Sequence, residues 1–347
     1  MKLNLAILLI IFLWAISGCE KSTGPRPFVI DPNLQQLTFH DYDKFGTKWR
    51  GDALFPVWAP DDRIYYIRSN LYANPAHQGG GGDIWVIDVA GETDTLLVKG
   101  VFGSSPDGQW LLAVDNYYFV RVWNMDENGA WYEVSGGILT LINLETLNIK
   151  VIPTDPLKVR EATFFPDSTG LAIAYYGYSS SSLPDGYYRI NVDGTDNQLL
   201  YACEDFRNWY YGNGLDISPD GRRIVYISSD ERRDGTYFLP YPPVIKDLVT
   251  LDQVALEFAI SWPRFNSDGS RIVCNMHARD EGMIGIIDGY NGSLIKTLNI
   301  EAYDPQRVGR TYAFFPCWSP DGTKIVFSEA PNPYVRVHDL WILNNVY

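Results

Sequence analysis

Six times along this chain a tight-turn tetrapeptide is followed directly by a short apolar run, and this recurrence restricts the fold more than any single residue does. The copies are Ala59-Pro60-Asp61-Asp62, Ser105-Pro106-Asp107-Gly108, Phe165-Pro166-Asp167-Ser168, Ser218-Pro219-Asp220-Gly221, Asn266-Ser267-Asp268-Gly269 and Ser319-Pro320-Asp321-Gly322. The aspartates of successive copies lie 46 to 60 residues apart. That period suits one small antiparallel sheet per repeat and exceeds that of most helical solenoids. Serine at the first position can bond the backbone further on, proline presets φ for the second, aspartate tolerates the third and glycine relieves the fourth.

The runs that follow, such as Ile64-Tyr65-Tyr66-Ile67, Ile224-Val225-Tyr226-Ile227 and Ile325-Val326-Phe327, are short, branched and aromatic, which marks buried strands. A second motif alternates with the first. It reads Asp83-Ile84-Trp85-Val86-Ile87-Asp88, Gly137 to Asn143, Tyr187 to Asn191, Asp247-Leu248-Val249-Thr250-Leu251-Asp252, Met283 to Asp288 and Asp339 to Asn344. Each copy predicts a third strand ending in Asp or Asn, and turns such as Val192-Asp193-Gly194-Thr195 and Asp288 to Gly292 lead into a fourth.

The pairing of S-P-D-G with a following D-I-W-V-I-D resembles the WD40-like repeat of TolB-type β-propellers over nearly all of the chain beyond its leader. The resemblance implies an all-β fold, a six-bladed propeller with four antiparallel strands per blade. Asp62 and Ser168 depart from it at the glycine position, and Ser267 at the proline. The sixth repeat contains only three strands, while Asn33-Leu34-Gln35-Gln36-Leu37-Thr38 has no blade of its own. This segment is expected to pair with Leu340 to Leu343 and close the ring, because an open ring leaves unpaired strand edges.

The first residues carry a different pattern. Lys2 gives a positive start, Leu3 to Trp14 is apolar apart from Asn4, and small residues precede Cys19. About ten apolar residues are too few for a spanning helix, which takes roughly 20, so residues 1–18 read as a signal peptide. The sequence around Cys19 resembles a bacterial lipobox, which implies acylation of the thiol and a mature chain beginning at Cys19. An ordinary secretory signal with an incidental cysteine is the alternative. Glu20 after Cys19 resembles the sorting signal of outer-membrane lipoproteins, which implies a cell-envelope location facing the periplasm or the surface. Residues 19–32, rich in Pro, Gly, Ser and Lys, read as a flexible tether, and residues 33–347 as a single propeller domain.

The formal charge of −14 argues against nucleic acid and against electrostatic binding to an anionic bilayer, so the membrane would be reached through the lipid. A composition 46% hydrophobic agrees with a globular body. Of the remaining cysteines, Cys203 falls in a loop, Cys274 in a second strand and Cys317 in a first strand, an odd set that reads as free thiols rather than a disulfide framework.

Catalytic patterns are sparse. There is no Gly-x-Ser-x-Gly elbow. The run Gly79 to Gly82 lacks the Lys-Ser/Thr of a phosphate loop. Histidines occur only at His40, His77, His277 and His338, few for a metal pocket resembling that of oligogalacturonate lyases. No cofactor is expected, an axial calcium held by aspartates being the exception the composition would allow.

The longest insertions fall on one side of the blades, between second and third strands or between blades: Tyr72 to Gly82, Asn116 to Gly136, Tyr176 to Gly186, Ser229 to Lys246 and Glu329 to His338, with the linker Cys203 to Gly214. They are rich in aromatics, which either form a recognition surface or fold back over the rim. Trp123, Trp131, Trp209, Tyr210 and Tyr237 are the candidate partner-binding residues. Two functions follow: a non-catalytic, lipid-anchored scaffold binding a protein or peptide through the long-loop face, or a glycan-binding or polysaccharide lyase-like protein of a surface uptake system.

Overall fold

The computed structural model describes residues 33–38, 52–69, 83–89, 95–99, 103–120, 134–154, 159–175, 184, 186–202, 214–227, 243–278, 281–298, 312–330 and 339–346. The described strands form six four-stranded antiparallel sheets. The first begins with Asp52–Trp58 and ends with Thr95–Lys99, and the second runs from Gly103–Ser104 to Ile149–Val151. The third spans Val159–Phe164 to Gln198–Ala202, the fourth Asp216–Ile217 to Gln253–Ala255, and the fifth Ile260–Phe265 to Leu294–Leu298. In the sixth, Tyr312–Trp318, Ile325–Ala330 and Asp339–Leu343 are completed by Leu34–Gln36 from the N-terminal side. The expected clasp is therefore present, with Leu34 opposite Leu343, Gln35 opposite Ile342 and Gln36 opposite Trp341.

Six buried apolar clusters lie one at each junction between neighbouring blades. The junction of blades 6 and 1 packs Leu37, Val326, Leu340 and Ile342 against Ala53, Trp58, Ile64 and Tyr66. Each sheet is thus buried on both faces, which explains why the second and third strands read as nearly continuous apolar runs. The first strands of adjacent blades touch all the way round and form the inner ring. The fold is a closed six-bladed β-propeller.

The six turns do the same local work. In each, the third-position aspartate accepts the N–H two residues on, from Arg63 (3.2 Å), Gln109 (3.0 Å), Thr169 (2.9 Å), Arg222 (3.0 Å), Ser270 (2.7 Å) and Thr323 (3.0 Å). The fourth residue takes positive φ throughout, Asp62 and Ser168 included, at 62° and 56° against 70–72° for the glycines. The first-position side chain also receives an N–H, from Trp110 to Ser105, Arg223 to Ser218 and Lys324 to Ser319 at 2.9 Å each. Asn266 Oδ1 takes this role where the proline is missing. The turns between third and fourth strands lie on the same face, because Leu144, Val192, Leu248 and Gly289 donate to Gln109, Thr169, Arg222 and Ser270.

Two expectations are corrected. The third strand of blade 4 is Pro243–Asp247, with Val244 and Ile245 buried, and Asp247 to Asp252 is the turn that follows it. Asp247 Oδ1 accepts the N–H groups of Val249 (2.7 Å) and Thr250 (2.8 Å), leaving Val249 and Leu251 exposed. The apolar alternation of Leu248, Val249 and Leu251 imitates a strand without burying one. The predicted insertion from Asn116 to Gly136 begins and ends as strand, since the hairpin of Trp110–Val120 and Val134–Asn143 stays paired to Val120 opposite Val134.

Leu147 and Leu251 hold φ of 59° and 66° at the place where blade 5 has Gly292 at 70°. In all three turns this residue donates its N–H to the last residue of the third strand. For an L-residue with a Cβ the left-handed region costs roughly 1–2 kcal/mol.

Candidate functional site

The inner ring carries a polar network that links blades 3 to 6. Glu161 Oε2, in the first strand of blade 3, accepts the N–H of Gly214 at 2.8 Å. Asp216, in the first strand of blade 4, accepts Thr163 Oγ1–H at 3.1 Å and the N–H of Phe265, in blade 5, at 2.8 Å. Arg264 donates back to Leu215 O at 3.0 Å, and Trp318 Nε1 in blade 6 donates to Arg264 O at 3.1 Å. Asn275 closes the series by donating to Ala313 O at 2.5 Å and accepting the N–H of Phe315 at 2.9 Å.

Glu161 and Asp216 are 4% and 9% exposed. Burial pushes the Glu161 carboxyl up to about 7, against the pull of the Arg264 charge and of main-chain donors at Leu215 and Gly214. Burial raises Asp216 as well, again opposed by Arg264. A carboxyl near neutrality has the proton affinity of a general acid or base. Here, however, both groups accept main-chain N–H bonds from the next blade, so their demonstrated work is to hold the blades together.

The same ring is irregular in a repeated way. The first strands of blades 1, 5 and 6 shift register between Leu54 and Val57, between Ser261 and Arg264, and between Phe314 and Cys317. Each shift falls on an aromatic-proline pair, Phe55-Pro56, Trp262-Pro263 and Phe315-Pro316. Trp262 and Phe315 have φ of 49° and 55°, a conformation uncommon for bulky residues. Their rings meet edge to face with centroids 4.3 Å apart. Proline supplies no ladder donor, so it is accommodated where the pairing skips. An aromatic-proline pair with its proline three residues ahead of the turn tetrapeptide is the sequence signal that would have pointed to the inner ring.

The six turn aspartates lie at the blade ends opposite those where the strands lead into the long insertions. Hydrogen bonds from Ser270 hold Asp268 below the usual carboxylate range, and those from Ser319 and Thr323 do the same for Asp321. Cys274 and Cys317 are free, and burial pushes both thiols up. Cys19 with the leader and tether, Trp123, Trp131, Trp209, Tyr210, Tyr237, Cys203, His40, His77 and His338 lie outside the described residues. Among the described residues no three His, Cys, Asp or Glu side chains gather as metal ligands. No helix there is long and apolar enough to cross a membrane.

A closed ring of six four-stranded blades places this protein among six-bladed β-propellers. Solved structures similar to it include a TolB protein from Agrobacterium tumefaciens, at 18% identity over 73% of this chain and 79% of the other with a TM-score of 0.50. An oligogalacturonate lyase solved with manganese is similar at 16% identity over 86% and 78%, also with a TM-score of 0.50. TolB from Acinetobacter baumannii matches at 19% identity and a TM-score of 0.48 over 70% of this chain, which spans about half, 53%, of that protein. Identities this low show a shared fold. No protein-family model matches the chain, and no curated protein does.

Proposed function

We propose that this chain is a non-catalytic propeller of the bacterial cell envelope, lipid-anchored through Cys19 at the outer membrane, that binds a protein or peptide through its long-loop face. The observation that carries the reading is the blade 2 hairpin. Its strands run for 11 and 10 residues, whereas second and third strands elsewhere run for five to eight. Pairing continues past a bulge between Asp115 and Tyr118, so a two-stranded arm leads directly into the segment that holds Trp123 and Trp131. A preformed arm that leads into a tryptophan-bearing segment suits recognition of a protein surface, because large aromatics are frequent anchors and an ordered arm costs little entropy on binding. The inner-ring carboxyls are engaged between blades, which favours a scaffold over a lyase.

The test is affinity purification of the native protein beside a variant with Trp123, Trp131, Trp209 and Tyr237 changed to alanine, each followed by mass spectrometry. Loss of specific protein partners from the folded variant supports the reading. Matching profiles reject it, and binding of both forms to an oligosaccharide array would favour the glycan-directed alternative.

A further inference from the structure

We infer that the turn face of the propeller lies against the lipid surface, with its exposed apolar turn tips in the interface and the long loops directed away from the membrane. This rests on the anchor at Cys19 and adds an orientation to it. Asn33, the first described residue, lies on the turn face. Leu34 pairs with Leu343 at the end of the last third strand, and Asn344 and Asn345 bond to Asn33, the main-chain N–H of Asn344 at 2.7 Å. From there the strand runs toward the long-loop end, where Thr38 meets Asp339.

Cys19 precedes Asn33 by 14 residues, a stretch that reaches at most about 50 Å when extended. With the turn face toward the membrane the whole of that reach is available. The opposite orientation would first spend about a third to a half of it passing along a blade, whose strands of five to eight residues rise about 3.3 Å per residue.

A second, independent observation concerns the surface itself. Every exposed large apolar side chain among the described residues lies in a turn between third and fourth strands or on a fourth strand. Leu147 in blade 2, Val249 and Leu251 in blade 4 and Tyr290 in blade 5 stand at the turn tips, with Leu251 63% and Val249 69% exposed. Leu147 and Leu251 occupy left-handed positions that glycine fills in blade 5, so the fold gains nothing from a leucine there. An interaction outside the fold gives those side chains a role.

These tips are separate, in blades 2, 4 and 5, rather than one contiguous patch. A fluid interface accepts such an arrangement, whereas a protein partner favours continuity. The same face carries the six turn aspartates, so the lipid that fits is zwitterionic.

The test uses amide hydrogen exchange on the native acylated protein in vesicles of phosphatidylcholine and phosphatidylethanolamine. A second arm couples the mature chain, with Cys203→Ser, through Cys19 to a maleimide lipid in the same vesicles. Intact mass of the native protein reports acylation at Cys19, and the coupled arm reports orientation whether or not the cell acylates that residue. Exchange at residues 144–148 and 247–252 is expected to slow at least fivefold on vesicles. The slowing should disappear in a variant carrying Leu147→Asn, Val249→Ser and Leu251→Asn, whose folding is checked by its melting temperature. Slowing over the long-loop segments instead, no slowing anywhere, or full slowing in the variant would each overturn the inference. Slowing that needs no vesicles and grows with protein concentration would assign the face to a second copy of the chain and overturn it as well.

Discussion

Thr38 Oγ1 donates to Asp339 Oδ1 at 3.1 Å and accepts the N–H of Leu340 at 2.8 Å, tying the strand that enters the fold to the third strand of the last blade. Both side chains are buried, and Gln36 Nε2 adds a bond to the other carboxylate oxygen at 3.2 Å. Thr38→Val keeps the shape and removes both hydroxyl bonds, a loss of about 1–3 kcal/mol. Deleting Asn33 to Thr38 also strips Leu37 from the junction of blades 6 and 1 and should lower the melting temperature much further. An unchanged melting temperature in the deletion would show that the ring does not depend on this strand.

Arg223 is buried and donates from Nη1 to Gly269 O at 3.0 Å and Gly289 O at 2.7 Å, in the next blade. Its guanidinium lies 3.9 Å from the centroid of the Tyr290 ring. Replacing it by methionine leaves two buried carbonyls without their donor, so denaturant titration should show a loss of about 2–4 kcal/mol. Arg223→Lys should recover only part, because one ammonium cannot reproduce the planar fork. Full recovery by lysine would mean that charge alone matters there.

The turn residues were legible because their function is local. Aspartate bonding the amide two residues on and a positive φ at the fourth position are written within four consecutive residues, so even Asp62 and Ser168 take the expected turn. The clasp was legible from the missing fourth strand of the sixth repeat. Two other features were not. Asp247 to Asp252 looks like a strand because Val249 and Leu251 are apolar, and only the backbone reveals that they face solvent. The links from Glu161 to Gly214 and from Asp216 to Phe265 join residues about 50 positions apart, with no local pattern to announce them.

Stability should vary with pH in two opposite ways. Folded Glu161 keeps its proton to about pH 7, against an ordinary value of 4.5, so the folded state binds the extra proton between those limits. Stability contributed by that group is complete below about 4.5 and falls as pH rises through 7, by on the order of 1–3 kcal/mol. Asp216, raised by burial, pulls in the same direction. Asp268 and Asp321, held low by Ser270 and Ser319, act oppositely, losing their contribution as pH falls through their depressed folded values. Glu161→Gln should flatten the fall between about pH 5 and pH 8. Urea midpoints at the two pH values decide this, and a parent protein equally stable at both would refute the assignment.

Leu251 and Leu147 offer a test in which stability and surface role separate. Each holds a left-handed conformation that strains a side chain with a Cβ, and each points that side chain into solvent. Leu251→Gly and Leu147→Gly relieve the strain, with part of the gain offset by the greater freedom of the unfolded glycine. The expected result is a rise of about 0.5–1 kcal/mol per site in purified protein. Ser168→Gly, at φ 56° in the first-to-second-strand turn of blade 3, should stabilise by a similar amount. The three variants differ in one respect: only the two leucine changes should also weaken vesicle contact. Equal vesicle contact in all three would leave the exposed leucines as an unrelieved local strain, and a fall in stability for Leu251→Gly would mean that its side chain packs on the fold.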